Sequence, residues 1–251
     1  MIGRSSLSDL EVAEAAARRA GELLLAGFGG DHAVRRKSAA GADVVSEADR
    51  AAERAVVALL REQRPGDGVL GEEGARVTAA RTWVVDALDG TFNYVAGVPH
   101  WCAAVALVDD EGPLVSAVFD PVAGELFSAQ RGEGGPGLAI RRGRAMGEAL
   151  VATFADPRVM TPAALLVLAE SAILRTGGAG SLDLAWVAAG RLDAWVQREP
   201  EPWDWLPGAL LVREVGGRAE VLEGGWHLAG APALVEELSM LLPGSGIRPS
   251  P

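Results

Sequence analysis

The chain has 251 residues, 49% of them hydrophobic, one cysteine and a formal net charge of -11. That size supports a substantial core, as one large domain or two modest ones, and the negative charge opposes association with a polyanion such as nucleic acid. A lone cysteine excludes an intramolecular disulfide, no apolar run approaches the roughly 20 residues that span a bilayer, and no basic-then-apolar leader opens the chain, so a cytoplasmic protein with no membrane partner is expected.

Residues 7–28 carry Leu10, Val12, Ala16, Ala20, Leu23 and Leu24 at helical spacing, with Ser8 placed to cap, and predict a long amphipathic helix. A polar, glycine-containing stretch follows over 31–42, and a second helix is predicted over 46–63, with residues 43–49 at its entrance. Beyond Gly66 the pattern switches to strands over 82–89, 100–108, 114–120 and 125–130. Cys102 lies in an apolar run and reads as a buried strand residue. Helices are predicted again over 162–174, 182–189, 203–215 and 231–242, with short strands at 192–196 and 218–222, before a Pro/Gly/Ser-rich tail. Periodicity is lost over 132–146, which suggests two packed α+β lobes, 1–140 and 141–251, sharing a cleft.

The stretch WVVDALDGTFN delivers Asp86 and Asp89 from the end of a predicted strand, with Gly90 and Thr91 directly after. Two carboxylates three residues apart at a strand end can converge on one point, where a hard cation takes several oxygen ligands, and the Leu88 carbonyl can add another. Gly90 and Thr91 open a predicted short helix whose N–H groups suit a phosphate, and the glycine permits close approach. Taken singly, this string also reads as a capped, solvated turn, Glu72 and Glu73 as a surface turn, and Trp203-Asp204-Trp205 as a helix start with core tryptophans. Their coincidence in one chain points instead to metal-assisted phosphate chemistry.

Together with DVVSEAD (43–49), GAGSLDLAWVAAGRLDAW and PWDWLPGALLVREVGG, these motifs resemble the inositol monophosphatase family, in the family's order and over most of the chain. The resemblance implies a layered α-β-α-β-α sandwich of the sugar phosphatase type, with the two lobes sharing one active-site cleft. It implies two Mg²⁺ ions, with a weaker third near Glu72. Glu72, Asp86, the Leu88 carbonyl and Thr91 resemble the first ligand set, and Asp86, Asp89 and Asp204 the second. By the same resemblance Gly90 and Thr91 bind phosphate, Gly178 and Ala179 lie on a substrate-side loop, and Asp49 pairs with the threonine hydroxyl near the attacking water. Asp49, Thr91 and Glu72 are then the implied catalytic residues, and in-line hydrolysis of a small phosphate monoester the implied reaction. Lithium sensitivity and a homodimer are also implied.

Three positions depart from the family pattern. Ala87 replaces a usual proline and Phe92 a small polar residue, while Gln197 stands where inositol-selective members carry glutamate. A glutamine accepts but also donates and is uncharged, so substrate preference can shift, and Glu199 and Glu201 stand close enough in sequence to substitute. Inositol monophosphate is the first expected substrate. Histidinol phosphate, another phosphorylated amino alcohol, or a sugar or nucleotide phosphate is the alternative. A catalytically silent metabolite-binding protein is the non-enzyme alternative, which the retention of Glu72, Asp86, Asp89 and Asp204 opposes. His32, His100 and His227 show no zinc spacing. Trp101, Trp186 and Trp195 read as core, and Arg141, Arg142 and Arg144 as a solvated turn.

Overall fold

Ser8 caps the first helix as its spacing predicts. Its hydroxyl accepts from the Glu11 amide at 3.2 Å while Glu11 accepts from the Ser8 amide at 2.7 Å, a reciprocal box that fixes the start of α1 (Asp9–Leu25). The structure is a computed structural model that describes residues 7–30, 34–36, 44–156, 158 and 160–242. His32, most of the polar 31–42 stretch, Asp43 of the DVVSEAD motif and the tail beyond 242 lie outside the described residues.

After α1 come β1 (Val34–Arg36), β2 (Val44–Ser46), α2 (Glu47–Gln63), β3 (Gly68–Gly71), β4 (Arg76–Val77), β5 (Thr82–Asp89) and α3 (Thr91–Ala96). Next are β6 (Cys102–Asp109), β7 (Gly112–Asp120), β8 (Glu125–Gln130), β9 (Leu150–Thr153), α4 (Pro162–Ser171) and β10 (Ile173–Arg175). The chain continues through α5 (Gly180–Ala188), β11 (Ala194–Arg198), α6 (Pro202–Glu214), β12 (Arg218–Val221), β13 (Trp226–Gly230) and α7 (Pro232–Leu241). β1 and β2 pair alone, one sheet runs β4-β3-β5-β6-β7-β8, and another runs β10-β9-β11-β13-β12.

Three buried clusters set the layers. α1 and α2 cover one face of the six-stranded sheet, packing Val12, Ala16, Val56 and Leu60 against Trp83 and Val105. The opposite face, with Cys102, Ala104 and Val118, meets α5 and α6, and the same cluster takes in Trp195 and Ala229 of the five-stranded sheet. The far side of that sheet, with Val151, Val196 and Leu228, is covered by α4 and α7 through Leu168, Leu234 and Leu238. The result is an α-β-α-β-α stack. Leu184 and Leu211 in the middle layer are fully buried, and removal of each such side chain from water is worth about 1.5–3 kcal/mol. Gly208 allows α6 to lie close on α5, since a Cβ there would strike Leu184.

Pro207 sits inside α6 and cannot donate to the Trp203 carbonyl. The Ser181 hydroxyl approaches that carbonyl at 3.4 Å, and Ser116 donates to the Pro207 carbonyl at 2.6 Å, so the interrupted helix is stitched to its neighbours.

Several expected elements are corrected. The helix expected over 162–174 stops at Ser171, because Ala172 is extended and residues 173–175 form β10 along the otherwise open edge of β9. The strand expected at 192–196 runs Ala194–Arg198 and so includes Gln197. β9 and β13 have no counterpart in the periodicity reading. Arg141 and Arg144 are not simply solvated, for each lies 3.6 Å from the carboxylate of fully buried Asp193.

Candidate active site

Along a regular strand, residues 86 and 89 would face opposite sides of the sheet. β5 escapes this by a bulge: Asp86 pairs with Ala104 and Asp89 with Cys102, so three steps on β5 match two on β6. Cys102 and Ala104 face the middle helical layer, and the two aspartates opposite them do the same, while Ala87 and Leu88 turn to the outer core. Asp204 arrives from the first turn of α6. One carboxylate oxygen from each of Asp86, Asp89 and Asp204 lies within 4.8 Å of the others.

Each acid is held by its surroundings. Asp86 Oδ1 accepts from the Leu88 amide at 3.0 Å, and the Thr91 hydroxyl donates to the Leu88 carbonyl at 3.3 Å. Asp89 accepts from the Gly180 amide at 3.2 Å and the Ser181 amide at 2.6 Å, which places its charge on the first turn of α5. Glu72 follows β3 in a turn clamped by Glu53 of α2, which accepts from the Glu73 and Ala75 amides at 2.7 and 3.1 Å. Gly71 has no room for a side chain because the Glu53 carboxylate packs against it.

Burial pushes the Asp86 carboxyl well above the usual range, and the charges of Glu72, Asp89, Asp204 and Asp49 add to it. Asp204 is raised in the same way, by burial first and then by Asp89 and Glu72. Asp89 is raised to about 6, again by burial first, with the Ser181 amide opposing. None of these shifts has a side-chain cation among its leading causes. A buried, oxygen-only cluster whose members repel one another fits a hard divalent cation.

Glu72, Asp86, Leu88, Asp89, Asp204, Gly90, Thr91, Gly178, Ala179 and Gln197 all line one cavity of about 1000 Å³. Asp49 lies buried on α2 and off the cavity wall, near enough for its charge to act on Asp86. Gly90 caps α3 at φ 93, and a Cβ there would come within 3.1 Å of Ala179 Cβ and the His100 carbonyl. The glycine therefore brings the 90–91 turn and the 178–179 loop together. Gln197 is 8% exposed and lines the cavity. Trp195, read as core, is fully buried and lines the cavity as well, with its ring stacked 5.6 Å from Trp205.

Residues missed by the sequence reading tie this wall together. Asn93 donates to the His100 carbonyl at 2.6 Å and to the Gly177 carbonyl at 2.8 Å. The His100 ring lies 3.1 Å from Asp183 and edge-on to Trp186. Burial disfavours the imidazolium, yet the Asp183 hydrogen bond and charge outweigh it and raise the His100 pKa. Glu53 carried a readable signal, since it stands four positions after Asp49 on the buried face of α2.

A family model described as "Inositol monophosphatase family" matches residues 7–243. The inositol-1-monophosphatase of Rhizobium meliloti is 40% identical over 240 residues, covering 89% of this chain and 88% of that one. The Nus factor SuhB of Pseudomonas aeruginosa is 38% identical over 246 residues, covering 88% and 90%. The crystal structure of extragenic suppressor protein suhB from Bartonella henselae matches with a TM-score of 0.84 at 30% identity, over 93% of this chain and 97% of that chain.

Proposed function

This chain belongs to the inositol monophosphatase family, and on that premise we propose that it hydrolyses a small phosphate monoester, inositol monophosphate first, in a Mg²⁺-dependent reaction. The observation that carries the reading is the convergence of Asp86, Asp89 and Asp204 within 4.8 Å on the wall of a cavity of about 1000 Å³.

In this reading Glu72, Asp86, Asp89 and Asp204, with the Leu88 carbonyl and Thr91, would hold two or three Mg²⁺ ions. Bound there, Mg²⁺ supplies charge neutralisation and lowers the pKa of water. The chain's own residues do the rest. The Gly90 and Thr91 backbone receives the phosphate, Thr91 and Asp49 orient the attacking water, and Glu72 keeps the site negative enough to retain the cations. Gly178 and Ala179 shape the substrate side, and Gln197 offers both an acceptor and a donor to the alcohol.

The test is phosphate release from inositol 1-phosphate, with histidinol phosphate, a sugar phosphate and a nucleotide monophosphate as comparisons. Activity that requires Mg²⁺ and disappears with EDTA is expected. Turnover that survives EDTA, or none across the panel, would overturn the reading. A homodimer, lithium inhibition, a cytoplasmic location and a lobe boundary near 140/141 belong to the same proposal. Among the described residues no helix is long and apolar enough to cross a membrane. The name Nus factor SuhB borne by several relatives supports a compatible second role as a protein partner. A pull-down with the inactive Asp86→Asn protein separates that role from catalysis.

A further inference from the structure

We infer that the mouth of this cavity selects phosphate monoesters whose alcohol carries a flat apolar group, over otherwise matched esters that lack one. The inference rests on the phosphatase reading above and narrows its substrate class.

Phe92 and Phe154 are among the most exposed large apolar side chains near the acids, at 49% and 41%, and both line the cavity. A single exposed phenylalanine needs no explanation. Two on the lining of one cavity do, because each leaves apolar surface in water at the place where a ligand would cover it. They come from separate elements: Phe92 from the first turn of α3, next to Thr91, and Phe154 from the position just past β9. Trp203, immediately before Asp204, and the buried Trp195 bring the aromatic residues on this lining to four.

The remaining chemistry of the mouth narrows the ligand. Gln197 is neutral and can serve a hydroxyl or an amine. Glu199 and Glu201 also line the cavity, and Arg158 lines it too but is paired with Asp156 at 2.5 Å, so the charge of this wall disfavours a second phosphate group on the alcohol. Glu199 holds φ at 51, the one positive value for a non-glycine among the described residues, with its amide donating to the Gly225 carbonyl at 2.8 Å. Such backbone strain gathers at ligand clamps. A volume of about 1000 Å³ stands at the top of the range for small-molecule sites, about 300–1000 Å³, and leaves space for a ring beyond the phosphate end. The class is a monophosphate, neutral or cationic elsewhere, with one flat ring.

The experiment compares 2-phenylethyl phosphate with ethyl phosphate, whose leaving alcohols are nearly equal in acidity, with inositol 1-phosphate as reference. The non-hydrolysable 2-phenylethylphosphonate and ethylphosphonate, titrated by calorimetry with Mg²⁺ present, give a binding readout free of turnover. We expect kcat/KM for the aromatic ester to exceed that for ethyl phosphate by about tenfold, chiefly through KM, and the phosphonate Kd values to differ likewise. In the Phe92→Thr/Phe154→Ala double variant, whose folding is checked by thermal melts, both ratios should fall towards one. Ratios near one in the unaltered protein, or ratios unchanged in the variant, overturn the inference. If none of the three esters releases phosphate, the phosphatase reading fails, while the phosphonate ratio still decides the role of the mouth.

Discussion

Asp89 and Ser181 stand 92 positions apart, yet the Ser181 amide donates to the Asp89 carboxylate at 2.6 Å. Ala179, the residue before α5, has no side chain able to cap it, and Asp89 does so from another element. The Ser181 hydroxyl in turn approaches the Trp203 and Asp204 carbonyls at 3.4 Å, so the start of α5 links two acids of the cluster. The hydrogen bonds that hold Asp89 in the site thus also tie α5 to the six-stranded sheet.

Asp86→Asn should separate function from stability. An asparagine keeps the acceptor for the Leu88 amide but removes one of the repelling charges. Phosphate release should fall by about a hundredfold or more. Thermal melts in EDTA near neutral pH should show the variant at least as stable as the parent, and a lower melting temperature there would contradict the electrostatic account.

Stability should respond to pH in a direction set by Asp89. Its folded-state pKa of about 6 lies above the unfolded value of about 3.9, so the native state holds the proton more tightly than the unfolded chain. Without metal, the contribution of this group is full below about pH 4 and is lost as pH rises through about 6. A Mg²⁺ ion held at the proposed site would bind the ionised form. The gain in melting temperature on adding Mg²⁺ should thus be larger near about pH 7.5 than near about pH 5, and an equal or reversed gain would count against the site.

Gly90→Ala meets both strain and neighbours. At φ 93 its Cβ would press on Ala179 and the His100 carbonyl, each 3.1 Å away. A loss of about 1–3 kcal/mol is expected from chemical denaturation, together with a raised KM. Gly97, at φ 75 with open space around it, is the control, and alanine there should cost about 1 kcal/mol and leave KM alone.

Asn93→Ala unties the 176–179 loop from α3. Two carbonyl partners are lost, for about 1–2 kcal/mol of stability. KM should rise several-fold while the Mg²⁺ concentration at half-maximal rate stays put, because the Asn93 amide donates to the His100 and Gly177 carbonyls and not to a carboxylate of the cluster. A shift in the Mg²⁺ requirement with KM unchanged would show that the loop serves the acids instead.

The acids themselves were readable because their strings coincide in one chain: each alone also reads as a capped turn or a helix start, but Glu72, Asp86, Asp89 and Asp204 together point to one site. What brings them together was not. Nothing in WVVDALD announces the bulge that turns Asp86 and Asp89 to one face, since that depends on pairing with β6. Residues 173–174 continue a helical apolar pattern, and only the open edge of β9 makes them a strand. Arg141 and Arg144 read as solvent-facing because their partner, Asp193, lies about fifty positions on. Asn93 acts by holding backbone groups of other segments, a role that leaves no local trace in composition or period, and for Glu53 the helical spacing from Asp49 marks a buried acid but not the turn it clamps.

Helices α5 and α6 belong at once to the packing of both sheets. A rotation of one half of the molecule against the other would have to part Leu184, Leu211 and Trp195 from surroundings that exclude water altogether. Opening the two sheets against each other would expose this shared core, whereas residues 154–156 and 176–178 line the cavity from outside it. Asp204 stands on one of these helices and Asp89 caps the other, so two of the three acids are seated on the layer that both sheets share.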